Sequence, residues 1–336
     1  MKRRKYALFA GLSALLALTV AFSGATVSGV GGEELLGGGE RVAVLCLGFD
    51  DAAENTDVMI LLTVDPSASS ISFLQIPRDT YFQAETLQNK INQLYPYYYT
   101  RGDDNSKALA VVTRDVSAAL GVDIDYYAAV DLASLASLFD AIGGVDVVVP
   151  HGLQVEHHDG DGYITIPAGG QHLSGDQAVA FLRYRSEYTE GDLGRVDAQK
   201  LLLASIYRKI KNDLSLVDIA RVLTDGMQRI KTNMPLSRQI SLAYAFYRDR
   251  ALYSVRLATL PGEAVLSAGT WYYAVNRQAS TALLTEYGYD AAFDPEGRLT
   301  DKNNEALYTI YEKASVTYTV YTDRTLDELE IKINER

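Results

Sequence analysis

Three short apolar runs rich in β-branched residues, at residues 42–47, 58–64 and 71–76, constrain the fold more than any other feature. Breaking residues bound each run, as is typical of β-strands. Since the first two runs scarcely alternate with polar residues, both of their faces are predicted to be buried inside a sheet covered on two sides. The turn at residues 66–70 is short, which predicts that the second and third strands form an antiparallel pair.

Helical periodicity alternates with further strand patterns along the rest of the chain. The spacing predicts helices at residues 104–120, 132–142, 174–182, 193–211, 216–230, 236–247, 279–286 and 302–313. It predicts further strands at residues 124–130, 145–149, 252–258, 271–275 and 316–321. This alternation indicates a layered α/β fold with helices on both sides of a sheet. Cys46 is the only cysteine, so no internal disulfide forms, and we expect a buried structural thiol.

The N-terminus carries a membrane-targeting pattern. Residues 2–5 are all basic, and residues 6–32 carry no charge. An uncharged apolar segment of about 20 residues is long enough to span a bilayer, and its basic flank stays in the cytoplasm. We therefore predict a transmembrane signal-anchor at residues 1–30, a Gly-rich linker at residues 31–40 and a folded part outside the membrane. Small residues at 21–25 leave a cleaved signal and a secreted protein as the alternative.

Charged residues gather where the first three strands begin and end. Asp50 ends the first strand, Asp57 opens the second, and Arg78 and Asp79 follow the third. Antiparallel pairing puts these positions at one rim of the sheet. Two neighbouring carboxylates repel each other, and a divalent cation with oxygen ligands, Mg²⁺ or Mn²⁺, would relieve that repulsion. The alternative for Asp50 and Asp57 is a pair of solvated loop aspartates.

Three arginines, Arg183, Arg185 and Arg195, lie close together in a chain whose net charge is -12. A guanidinium matches phosphate oxygens two at a time, so phosphate is the first ligand class to consider. Asp192 is predicted to cap the following helix, which puts Arg195 in its first turn beside free backbone amides. The alternative is pairing of each arginine with one of the 43 acidic residues. The acidic balance argues against nucleic acid as a partner.

Other catalytic motifs are weak or missing. Residues 156–159 contain His157 and His158, but an adjacent histidine pair in a loop rich in Gly and Asp is a poor zinc motif. The sequence has no Gly-x-Ser-x-Gly elbow, Walker loop or dinucleotide fingerprint. This disfavours serine hydrolases, P-loop NTPases and Rossmann enzymes.

The chain resembles the LytR-CpsA-Psr family of cell-wall glycopolymer transferases from about residue 42 to residue 199. The motifs that carry the resemblance occur in the family's order: Leu47-Gly48-Phe49-Asp50, Thr56-Asp57, Ile76-Pro77-Arg78-Asp79-Thr80, Lys90-Ile91-Asn92, Ile142-Gly143-Gly144-Val145, Leu173-Ser174-Gly175, Arg183-Tyr184-Arg185 and Asp192-Leu193-Gly194-Arg195. A fainter match includes Trp271-Tyr272-Tyr273. Each motif is short, and the specific signal is their order.

The resemblance implies a single-pass membrane enzyme with an extracellular catalytic domain at residues 41–290 and a C-terminal extension of unknown role at residues 291–336. It implies a three-layer α-β-α sandwich with a mixed central sheet and a long apolar pocket for a polyprenyl chain. The implied reaction transfers a phosphorylated glycopolymer, such as teichoic acid or capsule, from a polyprenyl-pyrophosphate carrier to a peptidoglycan hydroxyl. A polyprenyl-phosphate-binding protein without turnover and a lipid pyrophosphatase are the alternatives.

The resemblance also implies roles for single residues. Asp50 and Asp57 would hold Mg²⁺ on the pyrophosphate, and Asp57 or a neighbouring carboxylate would help to deprotonate the acceptor. The implied catalytic residues are Asp57, Arg78, Asp79, Arg183 and Arg185, and the pyrophosphate-binding residues are Arg78, Lys90, Arg183, Arg185, Asp192 and Arg195. Asp79 and Asp192 would orient arginines.

Two positions depart from the family's pattern. Asn55 and Ala198 stand where the family often has arginine, so two cationic contacts are expected to be missing. Either Lys90 or Lys200 compensates for them, or catalysis is weaker or the donor is different.

Overall fold

The computed structural model describes residues 40–49, 56–84, 87–100, 104–157, 162–184, 192–215, 218, 222, 229–290 and 292–326. For residues 87, 88, 192–198, 240 and 244 the description is limited to the backbone. The predicted signal-anchor, Asp50, Arg185 and most of the predicted helix at residues 216–230 lie outside these ranges. Within them, no helix combines the length and the apolar character needed to cross a bilayer.

A mixed sheet of seven strands forms the centre of the fold. Its strands, in spatial order, are β11 (Lys231–Thr232), β6 (Tyr126–Asp131), β1 (Val42–Phe49), β2 (Thr56–Asp65), β3 (Ser70–Ile76), β12 (Ser254–Thr259) and β15 (Tyr321–Thr322). β2 is antiparallel to both β1 and β3. β6 runs parallel to β1, and β12 runs parallel to β3. The mixed sheet and the antiparallel pair predicted from the short turn are both confirmed.

Four two-stranded antiparallel sheets accompany the central sheet, and three of them are hairpins. They pair β4 (Tyr81–Ala84) with β5 (Leu87–Lys90), β7 (Val145–Val149) with β10 (Gly169–Leu173), β8 (Leu153–Glu156) with β9 (Tyr163–Ile166), and β13 (Gly262–Ser267) with β14 (Thr270–Val275). The sequence pattern predicts only β7 and β14. The remaining strands are short, and several expose many of their residues, so they lack the apolar run by which a strand is recognised.

Eight helices occur in the described ranges: α1 (Leu94–Tyr99), α2 (Asn105–Leu120), α3 (Leu132–Ala141), α4 (Gly175–Arg183), α5 (Asp192–Asn212), α6 (Leu236–Asp249), α7 (Arg277–Glu286) and α8 (Glu305–Tyr311). The predicted ends of α2 are confirmed, because Asp104 caps its first turn and Gly121 follows its last residue in a left-handed conformation. The predicted helix at residues 302–313 is too long. Asn304 caps α8 and fixes its start three residues later than expected at Glu305.

Alternation along β1 divides the core into two layers. Val42, Val44 and Cys46 pack with residues of α3, α4, α5 and α6 on one face of the sheet. Ala43, Leu45 and Leu47 pack with residues of α2, α7 and α8 on the other face. The predicted three-layer sandwich is therefore confirmed, whereas the apolar lipid pocket stays a prediction. Cys46 is fully buried, as expected, and burial raises the pKa of its thiol.

The segment after residue 290 packs against the same sheet. Phe293, Leu299 and Tyr311 belong to the core of the α2 face, and Tyr321 belongs to the core of the opposite face. The predicted strand at residues 316–321 is largely wrong. Regular pairing begins at Tyr321, where Leu257 of β12 is its partner.

Candidate functional site

A β-bulge sets the position of Asp57 at the rim of the central sheet. Val58 pairs with Gly48 and Thr56 pairs with Phe49, so Asp57 is the extra residue on β2. A bulge bends its strand and turns the side chain away from regular alternation, and such bulges are frequent beside active sites. Asp57 thus faces the end of β3 rather than a partner on β1.

Arg78 forms a buried ion pair with Asp57. Its Nη1 donates a hydrogen bond to Asp57 Oδ1 over 2.8 Å. The Asp57 side chain has no exposed surface, and 12% of the Arg78 side chain is exposed. A carboxylate with so little water around it requires a cationic partner, so the pair depends on both of its members.

Asp79 and Lys90 extend this pair toward solvent. Lys90 Nζ lies 3.0 Å from Asp79 Oδ1, and Arg78 Nε lies 3.8 Å from the same oxygen. The backbone positions Lys90, because the Ile91 N–H donates to Thr80 O over 2.8 Å. Two cationic side chains therefore share one carboxylate, of which 25% is exposed. This arrangement suits the binding of an anion at the mouth of the site.

Strand β14 supports the same rim from the side. The Tyr273 N–H donates to Asp79 O over 2.8 Å, and Lys90 Nζ lies 5.9 Å from the centre of the Tyr272 ring. Tyr272 also meets Tyr81 edge to face, with ring centroids 5.6 Å apart. Burial, and next the charge of Asp301, raises the pKa of Tyr81 to about 12. The predicted site does not include Tyr81, Tyr272 or Tyr273. The faint family match at residues 271–273 points to Tyr272 and Tyr273, and no sequence signal points to Tyr81.

The oxygen atoms near Asp57 fit a hard divalent cation. Thr56 Oγ1 and Asn92 Oδ1 are buried and have no hydrogen-bond partner among the described residues. Asn92 belongs to the rim, since its N–H donates to Arg78 O over 3.3 Å. Within the part of the chain that the structure describes, no group of three or more His, Cys, Asp or Glu side chains is arranged around a potential metal position. Mg²⁺ requires only one or two carboxylates, so Asp57 with Asp50, which directly follows β1, remains a reasonable ligand set.

Arg183 is positioned by a different element, the last turn of α4. Its Nη1 donates to Glu156 O of β8 over 3.0 Å. Ser174 and Gln177 form a capping box at the start of α4. His157, part of the weak zinc motif, lies 3.5 Å from Asp176.

Three further predicted phosphate ligands are Arg185, Asp192 and Arg195. Arg185 is outside the described residues. The backbone places Asp192 and Arg195 in the first turn of α5, which begins at Asp192, one residue before the predicted start at residue 193. The capping role of Asp192 stays a prediction, since its side chain is outside the described residues.

Lys90 and Lys200, the two lysines considered as replacements for missing arginines, lie in different places. Lys90 contacts Asp79, as described above. Lys200 is buried, and its Nζ lies 5.3 Å from the centre of the Tyr321 ring near the β15 edge of the sheet. Its neighbour Gln199 accepts a hydrogen bond from Gln75 Nε2 of β3 and so ties α5 to the sheet. Lys90 is therefore the lysine that the structure brings beside Arg78.

Known proteins match this chain over most of its length. The model of the LytR_cpsA_psr family matches residues 29–287. The polyisoprenyl-teichoic acid–peptidoglycan teichoic acid transferase TagU of Bacillus cereus is 32% identical over 251 residues, which are 73% of this chain and 77% of that protein. The cell wall biosynthesis protein LcpA of Corynebacterium glutamicum is 31% identical over 210 residues, which are 56% of this chain and 40% of that protein.

Solved structures share the fold. The crystal structure of B. subtilis TagV superimposes with a TM-score of 0.60 at 23% identity, covering 74% of this chain and 97% of that one. The structure of TagT bound to LIIa-WTA superimposes with a TM-score of 0.60 at 26% identity, covering 74% of this chain and 90% of that one.

Proposed function

The chain belongs to the LytR_cpsA_psr family, and from this premise we propose that it transfers a phosphorylated glycopolymer from a polyprenyl-pyrophosphate carrier to a peptidoglycan hydroxyl. The catalytic domain would act outside the membrane, held there by the signal-anchor predicted at residues 1–30. A relative named as a teichoic acid transferase supports this proposal. The observation that carries it is the group formed by Asp57, Arg78, Asp79 and Lys90 at the rim of the sheet.

Arg78 and Lys90 are the cations that would bind the pyrophosphate. Asp57 fixes the direction of the Arg78 guanidinium, whose fork of N–H donors matches two phosphate oxygens at once. Lys90 adds a second positive charge beside Asp79. Cleavage builds negative charge on the leaving lipid phosphate, so cations already in place lower the barrier. Arg183, Arg185 and Arg195 would add further contacts to the pyrophosphate.

A divalent cation fits beside these residues. Asp50 and Asp57 would hold Mg²⁺, with Mn²⁺ as a possible substitute, and the bound ion would neutralise part of the pyrophosphate charge. The buried oxygens of Thr56 and Asn92 are donors of the hard type that such an ion prefers.

The transfer itself exchanges one P–O bond for another. The acceptor oxygen attacks the phosphorus attached to the sugar chain, and the bond from that phosphorus to the lipid phosphate breaks. The hydroxyl proton passes to a carboxylate, and polyprenyl phosphate leaves. Exposure favours Asp79 as that carboxylate, because 25% of its side chain is exposed whereas the Asp57 side chain has no exposed surface. Asp57 would then serve to hold Arg78.

The test is incubation of the full chain with a labelled lipid-pyrophosphate donor and peptidoglycan. We expect equal amounts of peptidoglycan-linked polymer and released polyprenyl phosphate. Binding without release would indicate a lipid-binding protein, and release without attachment would indicate a pyrophosphatase that uses water.

Variants of Arg78 sharpen this assay. Arg78→Ala removes the cation, and Arg78→Lys keeps the charge but loses the fork, so both are expected to lose attachment. Arg114→Ala is the matched control, because 71% of the Arg114 side chain is exposed on α2. Normal attachment by both Arg78 variants would contradict the proposal.

A further inference from the structure

The hairpin that carries Lys90 contacts a segment beyond the family match. The match ends at residue 287, whereas β4 contacts a loop at residues 294–299, here called the C-terminal loop. The Gln83 N–H donates to Arg298 O over 2.8 Å, and Gln83 Nε2 donates to Gly297 O over 2.9 Å. The backbone and the side chain of Gln83 therefore both bind this loop.

The side chain of Gln83 also connects the loop with the position of Lys90. Tyr81 OH donates to Gln83 Oε1 over 3.4 Å, and Tyr81 lies directly opposite Lys90 in the β4–β5 ladder. Side chains alternate along a strand and opposite residues share a face, so all three residues lie on one face of the hairpin. The ring of Tyr272 agrees with this placement, since it contacts both Tyr81 and Lys90.

The C-terminal loop is itself fixed to the core. Asp294 Oδ1 accepts the Arg298 N–H over 2.6 Å, and Asp294 Oδ2 accepts the Leu299 N–H over 3.1 Å. The Asp294 N–H donates to Ala119 O of α2 over 3.0 Å. Leu299 is buried in the core of the α2 face. A loop with these attachments provides a fixed support for the hairpin.

Arg298 connects the same loop with helices α1 and α2. Its Nη1 lies 3.4 Å from Asp115 Oδ1 of α2, and the Asp115 side chain is almost fully buried. Tyr98 OH of α1 donates to the other oxygen of that carboxylate. Helix α1 begins two residues after Asn92, whose N–H donates to Arg78 O. The loop is thus connected with the rim of the site through the hairpin and, by way of Asp115, through α1.

We propose that the C-terminal loop is a positioning element of the pyrophosphate site and that Gln83 is the residue through which it fixes Lys90. The inference rests on the proposed function, in which Lys90 binds the pyrophosphate. A lysine carries its charge on a flexible stem, so the place of that charge depends on the backbone beneath it.

The hairpin depends on such a support because of its size. Each of its strands has only four residues, and an isolated two-stranded hairpin is marginally stable at best in water. Strand β14 supports it at Asp79 and Tyr81, near its open end. The C-terminal loop supports it at Gln83, further toward its tip.

Hydrogen exchange of the full chain in detergent micelles tests the positioning without a ligand. Gln83→Ala removes both side-chain bonds and is expected to speed exchange of the amides of residues 81–90 by about tenfold. Arg298→Ala acts from the other side of the loop, should speed the same amides, and replaces Gln83→Ala if that variant does not fold. Gln171→Ala is the matched control, because Gln171 Nε2 also donates to a backbone carbonyl, in the β7–β10 sheet. Unchanged exchange at residues 81–90 would overturn the proposal.

Affinity for a pyrophosphate distinguishes positioning of Lys90 from general loosening of the fold. The probe is a short-chain polyprenyl pyrophosphate without a glycan, titrated by calorimetry with Mg²⁺ present. We expect Lys90→Ala to weaken binding by about tenfold and Gln83→Ala by about threefold. The double variant should bind as Lys90→Ala does, because the position of a missing charge has no effect. Additive losses would overturn the proposal.

The two measurements separate this inference from the proposed function. Normal binding of the probe by the unmodified chain, together with unchanged exchange in Gln83→Ala, refutes the positioning alone. Absence of binding by the unmodified chain refutes the pyrophosphate site and with it the proposed function, whatever the exchange shows.

Discussion

Arg78 Nη1 lies 2.8 Å from Asp57 Oδ1, and this contact joins the end of β3 to the bulge at the start of β2. Neither strand alone brings the two charges together. The antiparallel pairing of β2 with β3 brings the two residues near each other, and the bulge directs the Asp57 side chain toward Arg78. The stability of this rim and its chemistry therefore depend on the same pair.

Removal of Arg78 is expected to destabilise the fold. Arg78→Ala removes the cation that pairs with the buried Asp57 carboxylate. Loss of one partner of a buried ion pair typically lowers the free energy of unfolding by about 3–5 kcal/mol. The double variant Arg78→Ala/Asp57→Asn removes the charge as well and should recover part of this loss. Urea unfolding of the two variants measures the difference. If the double variant were no more stable than Arg78→Ala, the buried charge would not be the cause.

A methyl group at Gly175 is expected to disturb the contact between α3 and α4. A Cβ there would lie 2.0 Å from Ala136 O, so one of the two helices must move. We expect Gly175→Ala to lower the free energy of unfolding by about 1–3 kcal/mol, as overpacking usually does. Because α4 ends at Arg183, the same variant should also weaken binding of the pyrophosphate donor. Gly170→Ala is the control, since nothing lies within 4 Å of its added Cβ.

Ionisation of Asp294 is expected to reduce stability as the pH rises. Burial raises the pKa of Asp294 above its ordinary value of 3.8, although hydrogen bonds from the backbone N–H groups of Leu299 and Arg298 oppose the shift. The folded state therefore holds the proton more tightly than the unfolded state does. The stabilisation is complete below the ordinary pKa and is lost as the pH rises through the raised pKa.

Asp294→Asn should remove this dependence, because the amide does not ionise. The measurement is the free energy of unfolding of both proteins between about pH 3 and about pH 7. Asp104 gives the opposite control: the backbone N–H of Lys107 lowers its pKa, so its contribution is lost as the pH falls. A constant difference between Asp294→Asn and the unmodified chain across this range would contradict the assignment.

The sequence predicts that Asp57 and Arg78 lie near each other, but it does not predict that their side chains are in contact. A short turn at residues 66–70 requires β2 and β3 to be antiparallel, and this puts the start of one beside the end of the other. The bulge at Asp57 depends on how β2 pairs with β1, and no local pattern specifies it. Lys90 is placed by a hairpin of two four-residue strands that carry no recognisable apolar run.

The segment before β15 is a second case in which the sequence predicts one structural feature and not another. Alternation in residues 316–321 predicts side chains on two faces, and indeed Tyr318 and Val320 pack on one core while Tyr321 packs in the other. The backbone forms strand pairs only from Tyr321 onward. Strand pairing requires a neighbouring strand whose N–H and C=O groups are available at the same position along the sheet. The pattern of apolar side chains predicts which residues are buried, but it does not predict whether a strand is available for backbone pairing.

The fully buried position of Cys46 makes the chain suitable for site-specific labelling. Its thiol lies at the middle of β1 with no accessible surface, and the chain contains no other cysteine. A cysteine introduced on an exposed position would therefore be the one that reacts with a maleimide or a spin label in the folded protein. Distances between such a label and the hairpin that carries Trp271 become measurable without first removing a native thiol.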